Sequence, residues 1–234
     1  MMPNKHKLMP SLDILMQSYS LCLKGYEQIG IMLLLPSLVT ALGSLYFHSG
    51  AINYTKDHVL DNNLYLGISL IVLGTIWQII NYSPAIYFFN ESAKKRTPPT
   101  LAECYRIGKQ KYSKILLSAA VSYIGLILSI LALIVPFIVF FPRLILMPYF
   151  AADNPNLSLA EIFKMSLTAT KPYFEDIWNV YLLTLLILIV LDILFSSLTF
   201  GVIFLSTLSY VTAFMQAILY HQIVSFKNTP TNKV

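Results

Sequence analysis

The chain has 234 residues, 56% of them apolar and only 12% charged. A water-soluble domain carries about 25% charged residues, so this chain lacks the surface of a soluble fold, and it is too apolar to be disordered. Sixteen basic against eleven acidic side chains give a net charge of +5; in so apolar a chain this does not indicate nucleic acid, and the basic residues read as topology signals at a membrane surface.

From the N-terminus, Met1–Leu8 is basic, but the next twenty residues carry Asp13, Gln17, Lys24 and Glu27 in place of an unbroken apolar run, so no signal peptide is expected. Ser11 opens an amphipathic helix whose apolar positions 12, 15, 16, 19, 23 and 26 trace one face. A membrane-crossing helix needs about 20 mainly apolar residues, and Ile29–Phe47 and Leu64–Phe89 qualify. The 48–63 segment between them reads as a solvated outside loop. Its His48, Asp57, His58 and Asp61 match no metal-ligand spacing.

Thr100-Leu101-Ala102-Glu103 opens a second amphipathic helix, followed by an apolar run, Ile115–Ala151, interrupted by one charge, Arg143. A single helix of that length would measure about 55 Å at 1.5 Å per residue, against a hydrocarbon core of ~30 Å. Pro136 interrupts the run, which therefore splits into two short helices, about 115–134 and 136–151. Pro142 and Pro148 predict that the second of these is kinked or unwound and buried in protein. Ser158-Leu159-Ala160-Glu161 opens a third amphipathic helix, and Ile177–Phe195 and Gly201–Val224 complete the spans. The second and third openings have the form of a capping box; the first has Ile14 in the Glu position and rests on Ser11 alone. The tail, 225–234, is expected to be frayed.

The expectation is an all-α polytopic membrane protein forming a single integral domain over 1–234. Its six transmembrane helices form three units of amphipathic helix plus hairpin, about 11–89, 100–151 and 158–224. With both termini in the cytoplasm, fourteen basic residues fall inside and only Lys56 outside, with Arg143 in a span; this is a strong positive-inside pattern. Cys22 and Cys104 then face a reducing compartment and are expected as free thiols.

Arg143 and Asp192 are the ionisable groups deep in predicted spans. They are expected to form an intramembrane ion pair joining the second and third units. Gln78 and Asn81 share a face of the second span, and Thr212 and Gln216 a face of the sixth; they predict interhelical hydrogen bonding, or else the lining of a polar cavity. Lys94, Lys95, Arg96, Arg106, Lys109, Lys111 and Lys114 make a basic cytoplasmic platform of the kind that attracts anionic headgroups. No nucleophile elbow, phosphate loop, dinucleotide fingerprint or zinc-protease motif occurs, so no catalytic residues, cofactor or metal are expected.

Tyr149-Phe150-Ala151-Ala152-Asp153-Asn154-Pro155-Asn156-Leu157-Ser158, followed by Glu161-Ile162-Phe163-Lys164-Met165-Ser166, resembles a family of bacterial multi-pass membrane proteins of unknown function with a Y-x-x-A-D-N-P-x-L-S run. Leu198-Thr199-Phe200-Gly201 and the later Tyr210 and Tyr220 resemble that family's last hairpin, and Ala169-Thr170-Lys171-Pro172 stands where the family has a Lys-Gly turn. A wider similarity runs to YciC-like inner-membrane proteins and to the membrane domain of glycerophosphoryl diester phosphodiesterases. The resemblance implies an inner-membrane location and no activity. The expected function is a non-enzymatic scaffold or regulator of lipid organisation or of a cytoplasmic or membrane protein partner. The alternative is a small transporter or permease component using the proline-broken fourth span.

Overall fold

A computed structural model describes residues 8–57, 62–131, 134–195 and 201–228, and every regular element among them is helical. Helix α1 (Ser11–Lys24) ends at Gly25. A short α2 (Tyr26–Ile29) passes through a π-helical turn, Gly30–Leu34, into α3 (Leu35–Asp57). Then follow α4 (Asn62–Lys95), α5 (Leu101–Leu131), α6 (Ile134–Leu144) and α7 (Met147–Asp153). Helix α8 (Leu159–Thr170) leads through a 3-10 turn, Lys171–Tyr173, to α9 (Phe174–Phe195), and α10 (Gly201–Asn228) ends the order.

Among the described residues, four stretches are long and apolar enough to cross a membrane: Tyr26–Ile52, Asn62–Lys95, Leu101–Leu131 and Pro136–Asp153. Leu42 and Leu45 of α3, Ile68 and Leu73 of α4, and Ile127 and Leu128 of α5 are exposed. Apolar surface of that extent marks a membrane-embedded protein. The tight core lies elsewhere, along α4 from Asn81 to Ala93, α7 from Met147 to Ala152, and α10 from Tyr210 to Ile223, closed by Ile14 and Leu21 of α1. Phe88, Phe89 and Phe214 pack edge to face within it, with centroids 4.8–5.7 Å apart. This end also carries the basic run that follows Ala93 and is called the basic end below.

The α3–α4 hairpin is joined by four glycines. A Cβ on Gly67 would lie 2.3 Å from the Phe47 nitrogen, one on Gly43 2.7 Å from the Ile71 nitrogen, and one on Gly50 2.5 Å from the Leu64 nitrogen. On Gly74 it would meet the Thr40 hydroxyl at 2.2 Å. Gly43 and Gly50 are seven apart, as are Gly67 and Gly74, so each pair lies on one stripe, and the two backbones meet as small-residue stripes allow in membranes.

The elements differ from expectation in four respects. The 48–63 segment is not a loop over the described residues, because α3 continues to Asp57 and α4 begins at Asn62. Gly50 seated on Leu64 extends the hairpin contact beyond the apolar spans; residues 58–61, with His58 and Asp61, lie outside the described residues. The second amphipathic helix is not separate: α5 runs unbroken from Leu101 to Leu131, since nothing between them stops a helix. The 115–151 run is not one straight helix: Leu144 of α6 packs back on Gly125 of α5, where an added Cβ would lie 3.0 Å from it, and residues 132–133 lie outside the described residues.

The third difference concerns capping. At α8 the capping box forms: Ser158 Oγ accepts from the Glu161 N–H at 3.3 Å, and Glu161 Oε2 accepts from the Ser158 N–H at 2.8 Å. The Ser158 hydroxyl, which donates to Glu161 Oε2 at 2.7 Å, and then the Ser158 N–H hold the Glu161 carboxyl below the usual range. At α5 Thr100 accepts from the Glu103 N–H at 3.3 Å, while the Glu103 carboxylate accepts from the Tyr87 hydroxyl of α4 at 3.1 Å. At α1 Ser11 caps nothing, because the helix is entered one residue earlier: the Ile14 N–H already bonds to the Pro10 carbonyl.

The fourth is the disposition of α1. Ile14, Leu15, Ser18, Leu21 and Cys22 are its buried side, whereas Leu12, Met16, Tyr19 and Leu23 are 57–65% exposed. At 100° per residue the exposed apolar set occupies one stripe, and Asp13, Gln17, Ser20 and Lys24 a second, polar one. Helix α1 thus has three faces: one on the bundle, one apolar and open, one polar. Helix α8 has only two, with Ile162, Ser166 and Thr170 buried and Ala160, Glu161, Lys164 and Thr168 exposed. Cys22 and Cys104 are both free and buried, and burial pushes the Cys22 thiol up.

Candidate functional site

The polar chemistry of the bundle is organised by its prolines. A proline inside a helix has no N–H to give the carbonyl four residues earlier, and in an apolar setting that carbonyl needs another donor. Pro36 withdraws the donor from Met32, and the Asn81 Nδ2 of α4 supplies it at 2.7 Å. Pro142 withdraws it from Ile138, and the Trp178 Nε1 of α9 supplies it at 3.0 Å. Beside Pro84, the Tyr112 hydroxyl of α5 donates to the Ile79 carbonyl at 3.1 Å, and Ser83 Oγ donates to the Gly108 carbonyl at 2.8 Å. A Cβ on Gly108 would lie 2.7 Å from Pro84, so α5 crosses α4 at the proline.

Asn81 is a predicted polar residue and is fully engaged: its Oδ1 also accepts from the Tyr105 hydroxyl at 2.7 Å, so one buried amide ties together the π-turn, α4 and α5. Gln78 faces the same hairpin at longer range, its Nε2 being 3.5 Å from both Ser37 Oγ and Thr40 Oγ1. It also lines a cleft of about 290 Å³ between α4 and α5 with Thr75, Tyr82 and Tyr123. Gln216 of α10 lines a separate void of about 50 Å³ on the other side of Tyr82 and Tyr123, against Tyr149. Thr212 is partly buried on α10. One member of each predicted pair, Gln78 and Gln216, thus borders one of two spaces that both touch Tyr82 and Tyr123; the pairs do not share one cavity.

The fourth span is discontinuous, with α6 ending at Leu144 and α7 starting at Met147. Three of the carbonyls around this break are occupied, while Pro148 withdraws the helical donor from a fourth, that of Leu144. Phe141 O accepts from the Ile145 N–H at 3.1 Å, Arg143 O from the Ser166 hydroxyl of α8, and Leu146 O from the Tyr149 N–H at 3.1 Å. The Arg143 side chain is partly buried, and its Nε has no hydrogen-bond partner among the described residues. The side chain of its expected partner, Asp192, lies outside the described residues. The register of α6 on α9 is set at Phe141, whose ring packs on Trp178 and Tyr181 at 5.2 and 4.9 Å. Asp192 follows Tyr181 by eleven residues, about 16 Å along the helix axis.

The seven platform residues divide. Lys111 Nζ donates to the Ala152 carbonyl at 2.6 Å and Lys114 Nζ to the Leu157 carbonyl at 2.5 Å, filling acceptors at the end of α7 and in the turn before α8. Lys95 pairs with Glu91 at 2.9 Å and Lys94 more loosely at 4.0 Å. Arg96, Arg106 and Lys109 are exposed.

One polar cluster at this end was not anticipated. Asp153 accepts from Asn90 Nδ2 of α4 at 2.7 Å and from the Tyr220 hydroxyl of α10 at 2.8 Å, while His221 Nε2 lies 2.9 Å from the Asn90 carbonyl. The A-D-N-P run thereby staples α4, α7 and α10. The tyrosine–aspartate pairing had no signal in spacing, but the donors at Met32 and Ile138 did: counting four residues back from each proline names the carbonyls needing one.

Scans of this chain against protein-family models, curated proteins and solved structures each returned no match.

Proposed function

We propose that the chain is a six-span protein of a bacterial inner membrane, with both termini in the cytoplasm, acting as a non-enzymatic scaffold for partner proteins or lipid. The observation that carries this reading is that protein donors hold four carbonyls at and beside the break in the fourth span. Where a discontinuous helix builds a transport site, unwound carbonyls are left to coordinate the cargo. Here the carbonyls of Ile138, Phe141, Arg143 and Leu146 already accept from Trp178, Ile145, Ser166 and Tyr149. The three-faced α1 supports the same reading. A helix with one face on the bundle, one apolar and one polar suits the boundary between headgroups and acyl chains, where Leu12, Met16, Tyr19 and Leu23 meet lipid or the flank of a membrane partner.

A second reading, a small transporter or permease component, is favoured by the discontinuity itself and by the Arg143 Nε left without a partner among the described residues. Crosslinking and pull-down from native membranes, with bound lipid and protein identified together, separates the two. The scaffold reading expects a defined partner or lipid that is lost when Leu12, Met16 and Leu23 are changed to Ser. Substrate flux in reconstituted vesicles would overturn it. Reporter fusions at Asn62 and Asn232 test the topology, with an outside signal expected at Asn62 and an inside signal at Asn232.

A further inference from the structure

At the basic end, a groove of about 640 Å³ lies between α1, the end of α4 and α10. Its polar walls are Gln17, Lys94, Arg96, His221, Gln222 and Ser225, and no Asp or Glu lines it among the described residues. We propose that this groove binds a small phosphate-bearing anion through Lys94, Arg96 and the Gln222 amide. The inference stands on the groove's own residues and goes beyond the scaffold reading, since it holds whichever partner the bundle organises.

Three observations support it. The first is the backbone of Arg96, at φ +57° the one described non-glycine residue with positive φ. The position just past a helix usually takes glycine there, because a Cβ makes the left-handed region costly. A side chain retained against that cost points to a use for the guanidinium. The second is charge: Glu91 is engaged by Lys95 at 2.9 Å and reaches Lys94 only at 4.0 Å, and no carboxylate pairs with Arg96 among the described residues.

The third is the arrangement of the neutral groups. Gln222 gives its Oε1 to the Met9 N–H at 3.0 Å, so its amide nitrogen is the end left to donate. His221 Nε2 must donate to the Asn90 carbonyl, since a carbonyl only accepts, and this bond fixes the imidazole in the wall. Two cations and an oriented amide donor in a groove without carboxylates match a phosphate, whose oxygens accept charge-assisted bonds. The volume lies within the range of small-ligand sites.

The test uses the full chain in nanodiscs of phosphatidylcholine. Inorganic phosphate is titrated while 31P line broadening and the unfolding midpoint are followed, and a parallel set of discs contains phosphatidylglycerol. Phosphate, anionic lipid or both are expected to bind, with binding weakened about tenfold or more by Arg96→Gly and by Lys94→Gln and unchanged by Lys164→Gln on the exposed face of α8. Arg96→Gly relieves the backbone, so its ligand-free midpoint is expected to rise, separating lost binding from lost folding; Lys94→Gln decides the matter if that variant does not fold. Competition between phosphatidylglycerol and free phosphate assigns the site to a headgroup, and phosphate binding undisturbed by the lipid assigns it to a soluble ligand. Absence of binding to both probes, binding indifferent to Arg96 and Lys94, or an equal loss at Lys164 would overturn the proposal.

Discussion

The Asn81 side chain donates to the Met32 carbonyl at 2.7 Å, and Met32 is the residue whose helical donor Pro36 removes. The proline and the asparagine, 45 positions apart, are thus two halves of one joint. Asn81→Leu leaves both the Met32 carbonyl and the Tyr105 hydroxyl without their partner, and a buried polar group left unpaired costs about 1–3 kcal/mol. The single variant is expected to unfold at lower denaturant in detergent. Pro36→Ala, which restores an N–H to the turn, is expected to recover part of the loss when combined with it. Equal losses in Asn81→Leu with and without Pro36→Ala would break the link.

Trp178 serves the equivalent joint on α6. Trp178→Phe keeps an aromatic ring against Phe141 but deletes the Nε1 donor to Ile138. A destabilisation of about 1 kcal/mol or more is expected, smaller in a Pro142→Ala background. Thermal unfolding of the four proteins of this cycle measures the coupling.

The glycine hairpin predicts a steric penalty with no polar component. Gly67→Val places branched carbons where a single Cβ would already lie 2.3 Å from the Phe47 nitrogen. Overpacking typically costs about 1–3 kcal/mol, and since the nearest atoms are backbone, α3 must move away from α4. A cysteine pair placed across the hairpin at Phe47 and Leu66 should then crosslink more slowly in the Gly67→Val protein than in the parent.

Arg143 and Asp192 invite the opposite expectation from the one their sequence positions suggest. An ion pair would make Arg143→Met/Asp192→Leu better folded than either single variant. The packing of Phe141 on Trp178 and Tyr181, with Asp192 about 16 Å beyond Tyr181 along α9, predicts that the two losses add. A double variant more stable than both singles would show the ion pair to exist.

The all-α class, the free thiols and the capping box at Ser158 were legible because each depends on composition or local spacing. The amide of Asn81 was legible as a polar group in an apolar span, but its partner was not, because that partner is a backbone carbonyl named only by Pro36. The role of Lys111 and Lys114 was obscured for a related reason: sequence counts charges, while the orphan carbonyls of Ala152 and Leu157 that draw them inward appear only once α7 ends. The apolar stripe of α1 was read from its periodicity, yet periodicity does not say which of two apolar faces meets the bundle. Ile14 and Leu21 won the core, and Leu12, Met16, Tyr19 and Leu23 were left outside.

The central claim, that the break in the fourth span is closed to water with the Ile138, Phe141, Arg143 and Leu146 carbonyls held by protein donors, is tested most directly by thiol accessibility at Ser166, whose hydroxyl occupies the Arg143 carbonyl. In a protein with Cys22 and Cys104 replaced by Ala, Ser166→Cys would be challenged with a charged, water-borne thiol reagent, using Gln110→Cys on the exposed face of α5 as the reactive reference. The sealed bundle predicts that the cysteine at 110 is labelled quickly and the one at 166 is protected from both sides of the membrane. Labelling at 166 as fast as at 110 would contradict the account and place water at the break.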